Sequence, residues 1–163
     1  MRIGVISDTH IPDRAEKIPH AILEDFKNVD IIFHAGDLVE KTALKELKAV
    51  CKDVRAVQGN MDHPDAKDSL PEKLVMEVEK HRIGLTHGYG PPPRLIEVVT
   101  KIFEKDRVDT IVFGHSHYPV NEVRNGILYF NPGSPTDTIF SPYNSYGILE
   151  IKGDKVEGKI IKL

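Results

Sequence analysis

"FGHSHYPV", residues 113–120, sets His115 and His117 one residue apart, directly after the apolar run Ile111, Val112, Phe113. A short apolar run broken by Gly114 reads as the end of a buried strand. Two imidazoles at such an end form either a hydrogen-bonded turn or half of a metal site. The other strand ends decide between these readings, and with them the fold.

Working outward, "RIGVI" (2–6) reads as a buried strand that ends in the polar "SDTH" (7–10). "KIPHAILEDFKNV" (17–29) has helical spacing at Ile18, Ile22, Leu23 and Phe26. "VDIIFHAGD" (29–37) repeats the strand design and closes on Gly36-Asp37; "KTALKELKAV" (41–50) is again helical, and "VRAVQGN" (54–60) gives a third strand ending at Gly59-Asn60. "KLVMEVEKHRIGLTHG" (73–88) predicts two strands around a turn at Lys80-His81, followed by a helix over 92–105. Asn125-Gly126 and Gly153-Asp154 predict two hairpins, so the C-terminal third is expected to be a β meander. Alternating strands and helices followed by antiparallel strands predict a mixed α/β architecture with helices covering sheets, organised as one domain over 1–163.

At the carboxyl ends of five successive apolar runs stand Asp8 and His10, Asp37, Asn60, His87, and His115 and His117. Taken singly, the aspartates and the asparagine are common cap or turn residues, and the histidines are common loop residues. As a set they share a placement, because ligands of open α/β sheets gather outside the carboxyl ends of the strands. The donors are carboxylate, imidazole and one amide, without thiolate. That mix suits manganese, iron, nickel or zinc better than a calcium cage. Seven donors exceed what one ion with an open position needs and match two ions sharing a carboxylate, about 3.5 to 4 Å apart. His20 and His81 fall outside the pattern, in a helix and a hairpin turn, and His63 does not share it either. His34, in "FHAGD", is either packing or support for the ligands.

Composition narrows the remaining classes. With 22 basic and 25 acidic residues the net charge is −3, both signs are scattered, and nucleic-acid capture is not suggested. Cys51 is the only cysteine, which rules out an intramolecular disulfide and a thiolate zinc cluster; it reads as a small buried hydrophobe. No run resembles a signal core or approaches the roughly 20 apolar residues of a membrane span, so a cytoplasmic location without a membrane partner is expected. There is no GxGxxG and no P-loop lysine. "GYGPPPR" (88–94) reads as a rigid loop feeding a helix. A homodimer through the edge of "KVEGKIIKL" (155–163) is one expectation, set against lysines that commonly guard such edges.

"DTH" at 8–10, "GD" at 36–37, "GN" at 59–60, "HG" at 87–88, "GHSH" at 114–117 and "NPGS" at 131–134 together resemble the calcineurin-like metallophosphoesterases, in particular their small phosphodiesterase branch. That branch includes a eukaryotic scaffold of endosomal coat assembly. The resemblance implies a four-layer αββα sandwich, with two mixed β-sheets flanked by helices and a binuclear metal centre at one edge. Asp8, His10 and His117 would hold the first ion, Asp37 would bridge, and Asn60, His87 and His115 would hold the second. The implied activity is hydrolysis of a small phosphodiester by hydroxide bridging two divalent ions, manganese foremost, with Asp37, Asn60 and His87 as the residues of catalysis. A phosphomonoesterase on the same site and a metal-binding scaffold are the alternatives. Many larger members carry a histidine after the motif asparagine that can protonate the leaving group; here Met61 stands in that place, with Asp62 and His63 as the nearest substitutes. Tyr89, Arg94, Tyr118, Tyr143 and Asn144 lie in loops from which a substrate contact is conceivable.

Overall fold

A computed structural model describes residues 1–163 in full. The strands are β1 (Arg2–Ile6), β2 (Ile31–His34), β3 (Val54–Ala56), β4 (Lys73–Val78), β5 (His81–Thr86), β6 (Thr110–Val112), β7 (Val120–Arg124), β8 (Ile127–Asn131), β9 (Ser145–Lys152) and β10 (Lys155–Lys162). The helices are α1 (His20–Phe26), α2 (Thr42–Val50), α3 (Pro64–Lys67) and α4 (Leu95–Ile102). None is long and apolar enough to cross a membrane.

The strands form two five-stranded mixed sheets, ordered β10-β9-β1-β2-β3 and β4-β5-β6-β8-β7. In the first, β1, β2 and β3 are parallel, as the intervening helices require, and β9 runs antiparallel to β1. In the second, β5, β6 and β8 are parallel neighbours, with α4 crossing between β5 and β6.

Side-chain alternation builds the layers. Ile3, Val5, Ile31, Phe33, Leu149 and Ile151 of the first sheet face Ile83, Leu85, Val112, Leu128 and Phe130 of the second. The opposite face of the first sheet, through Ile6, Ile32 and Ile148, packs on Ile22 and Phe26 of α1 and Leu44 and Leu47 of α2. Ile111 and Tyr129 of the second sheet pack on Leu95 and Val99 of α4. Strands covered on both faces are apolar throughout, which is why the sequence shows runs rather than strict alternation. Complete burial of a residue such as Phe33 is worth roughly 1.5–3 kcal/mol.

Several expectations change in detail. The hairpin turn between β4 and β5 is Glu79-Lys80, and His81 opens β5, where its ring nitrogens meet Asp109 and the Gly153 carbonyl. The helix expected over 92–105 is a 3₁₀ turn at Pro92–Arg94 followed by α4, because the prolines cannot donate to a helical ladder. His20 is the first residue of α1; Pro19 precedes it and leaves Ile18 outside. The C-terminal third is no single meander: β7-β8 completes one sheet and β9-β10 the other.

Candidate metal centre

Beyond the ends of β1 and β2 the two chain segments stay side by side. The N–H groups of Asp8, His10 and Ile11 donate to the carbonyls of Gly36, Asp37 and Leu38 at 3.0, 3.0 and 3.1 Å. To turn side chains over the sheet edge while keeping this ladder, the backbone enters the left-handed region at Asp8 (φ 53°), His10 (45°) and Asp37 (54°), and again at His115 (69°) and His117 (58°). Such conformations cost about 1–3 kcal/mol each and cluster where function demands them. Gly59 and Gly114 allow the close approach: a Cβ on Gly59 would collide with Asp37, and one on Gly114 with Ser7 and Asp8.

Ligand atoms of Asp8, His10, Asp37 and His117 all lie within 4.8 Å of one another. His10 Nε2 is 3.2 Å from His117 Nε2, and His117 Nε2 is 3.3 Å from Asp8 Oδ1. A second group adjoins this one through Asp37. His87 Nε2 lies 3.3 Å from Asp37 Oδ2 and 3.1 Å from Asn60 Oδ1, and His115 Nδ1 is 2.9 Å from the same amide oxygen. All seven residues expected from the strand ends thus share one cleft. Asp8, His10, Asp37, His87 and His117 are buried, His115 is half-buried, and Asn60 is exposed at the rim.

Neighbours aim these groups. Ser7 Oγ and the His115 N–H donate to Asp8, and the Met61 N–H donates to Asp37 Oδ1 at 2.7 Å, which leaves Oδ2 turned to the histidines. His87 donates from Nδ1 to the Ala35 carbonyl at 2.7 Å, and His115 from Nε2 to that of Gly90 at 2.9 Å. The neutral form of each therefore presents its other nitrogen to the cleft as a lone pair. His117 donates from Nδ1 to a carboxylate oxygen of Asp137. Asp137 is buried and also accepts from Arg14 and from the N–H groups of Ile139, Phe140 and Ser141.

Opposed lone pairs among buried carboxylates call for a positive charge. Burial lowers the affinity of His87 and His117 for a proton. In the metal-free cleft this is outweighed by hydrogen bonds and charges from Asp37 and Asp8 for His87, and from Asp8 and Asp137 for His117; both are raised to about 9. Burial pushes the Asp37 carboxyl up, but the His87 hydrogen bond and charge hold it below the usual carboxylate range. The nitrogen and oxygen donors suit a borderline divalent cation, which can replace those protons.

His34 lies behind the donors and is not one of them. Its Nδ1 accepts from the Gly36 N–H and its Nε2 faces Thr9 Oγ1 at 3.1 Å, and burial lowers its pKa to about 4. Neither residue that follows Met61 lines the cleft. Asp62 is buried with both oxygens taken by the N–H groups of Val39 and Gly59, and His63 lines a separate recess with Glu40 and Lys45. Of the loop residues, Tyr89 and Tyr118 border recesses beside the cleft. Arg94 pairs with Glu97, Tyr143 lies under Lys162, and Asn144 donates to the Asp137 carbonyl. Asp137, Arg14 and Phe140 were not among the expected residues; the only local signal was that Asp137 follows "NPGS" by three positions.

Two facing sheets flanked by helices carry a buried cluster of carboxylates and histidines that could hold a metal ion. Residues 1–154 match the calcineurin-like phosphoesterase superfamily domain, and the chain belongs to that family of metal-dependent phosphoesterases. It is 41% identical over 164 residues to a probable metallophosphoesterase of Methanocaldococcus jannaschii, covering 100% of this chain and 82% of that one. A phosphodiesterase of the same archaeon is 28% identical over 145 residues, with 82% and 83% covered. Among solved structures, Vps29 of Entamoeba histolytica superimposes with a TM-score of 0.80 at 25% identity, covering 100% and 99% of the two chains.

Proposed function

We propose that this protein is a metal-dependent phosphodiesterase holding two divalent ions, manganese foremost. Asp8, His10 and His117 would hold one ion, Asn60, His87 and His115 the other, and Asp37 both. Bound there, the ions would supply Lewis acidity for phosphoryl oxygens and bring the pKa of water near neutrality. The reaction adds water across one P–O ester bond and yields a phosphomonoester and an alcohol.

The observation that carries the reading is the convergence of all seven donors on one cleft, with Asp37 common to both groups. Two recesses support a diester over a monoester. One, lined by Gln58, Lys67, Lys73 and Tyr89, opens beside Asn60 and His87. The other opens beyond Ser116 and Phe140, so that both ester substituents have a place to go.

The chain's own residues position and orient. Asp137 fixes the ring of His117, the Ala35 carbonyl that of His87, and the Met61 N–H the carboxylate of Asp37. A displacement of about 1 Å can cost on the order of 100-fold in rate, so these contacts matter to catalysis. Met61, 54% exposed, occupies the place of the acid histidine and has no proton to give the leaving oxygen. Substrates with stable leaving oxyanions are therefore favoured.

Protein stripped with chelator is tested on bis(p-nitrophenyl) phosphate and on p-nitrophenyl phosphate, with and without added manganese, beside Asp37→Ala. Diester turnover that needs both manganese and Asp37 supports the proposal. Turnover of the monoester alone, or none of either ester at two bound metal equivalents, overturns it.

A further inference from the structure

The second of these recesses differs chemically from the metal cleft. It is a groove of about 430 Å³ that shares Pro92, Ser116 and Phe140 with the cleft. Its floor is Phe113 and Leu95, both buried, and Tyr118 and Val120 line it as well. Phe140 joins the two spaces: its ring centroid lies 6.1 Å from that of His117, and the residue also lines the groove. The charged groups along the groove are already paired, Arg124 with Glu122 at 2.7 Å and Glu97 with Arg94 at 3.2 Å. What remains available is apolar and aromatic surface.

Phe140 and Tyr118 are 65% and 57% exposed, so both rings offer surface that a ligand in the groove can cover. A groove of this volume is the size of a small-ligand site, and one contiguous with the reacting centre would be reached by a substituent attached to the phosphorus. We infer that this groove binds an uncharged ring on one ester arm, so that the substrates are phosphodiesters bearing an aromatic or cyclic apolar group. The inference rests on the phosphodiesterase reading and names the substrate class for it.

The test compares 2-phenylethyl p-nitrophenyl phosphate with ethyl p-nitrophenyl phosphate, which share a leaving group and differ only in the ring. The wild-type protein favours the phenylethyl ester in kcat/KM by about tenfold or more, as burial of one ring implies. Val120→Trp, which fills the groove, and Tyr118→Ala, which removes a wall, bring that ratio toward one and leave the ethyl ester unchanged. Calorimetry reads the groove without turnover: 2-phenylethyl phosphate binds the manganese-loaded protein about tenfold tighter than ethyl phosphate, and the two variants lose the difference. Equal affinities in wild type and variants overturn the inference and leave the groove to a partner protein. Absence of turnover with the calorimetric difference intact overturns the catalytic reading and keeps the groove.

Discussion

Around His10 and His117 the cleft is buried, and the orienting group is a carboxylate, Asp137, itself held by Arg14 and three backbone N–H groups. Around His87 and His115 the orienting groups are the neutral carbonyls of Ala35 and Gly90, and Asn60 stands exposed at the rim. A charged acceptor makes an imidazole a stronger ligand than a neutral one does, and burial keeps its charge from being screened. The inner half is therefore expected to bind its ion more tightly, and the outer half to exchange more readily. Calorimetric titration of stripped protein with manganese should show two phases.

Removing the residue common to both halves should have the largest effect. Asp37→Ala loses several kcal/mol of transition-state stabilisation, about a 1000-fold fall in diester kcat/KM, and both calorimetric phases weaken. A single surviving phase of wild-type affinity would show that Asp37 is not shared.

Next comes the response of the metal-free protein to pH. His87 and His117 are raised from 6.5 to about 9, so the stability they confer is fully present below pH 6.5 and is lost as pH rises through about 9. In urea with chelator, the stability should fall by a few kcal/mol between pH 6.5 and 9.5, and with saturating manganese it should not. Asp137→Asn should flatten the part that belongs to His117, and with it separate the inner half from the outer.

The same Asp137→Asn protein, once loaded, should show the tighter calorimetric phase weakened about 10- to 100-fold and the weaker phase unchanged. Equal weakening of both phases would mean that the halves are coupled through Asp37. The smallest effect is expected of Arg14→Gln, whose guanidinium touches Asp137 from the partly exposed rim at 2.9 Å. A loss of about fivefold in the inner phase is expected, about 1 kcal/mol, the upper range for a partly exposed ion pair.

Much of this site is legible in the sequence. Asp8, Asp37, Asn60, His87, His115 and His117 each end an apolar run, and a run that stops abruptly at a polar residue marks both a buried strand and the loop beyond it. The hairpin at Asn125-Gly126 was equally plain, because both residues adopt positive φ, 51° and 80°, as that turn demands. The short helix α3 and the 3₁₀ turn at Pro92–Arg94 were not, since a single turn leaves no periodicity to read. Asp62 was one of two candidates beside Met61 for a substitute acid; its carboxylate ties the Val39 and Gly59 backbones together, a role that only spatial neighbours reveal.

By itself the sequence determined which residue types stand at the strand ends and that helices cover the sheets, because burial and chain reversal leave local marks at periods of a few residues. The tertiary structure alone decided which sheet each C-terminal hairpin joins, that Asp137 reaches His117 from 20 positions away, and that an apolar groove opens beside the metal donors. These depend on how distant segments pack, and packing between remote residues leaves no period in the chain.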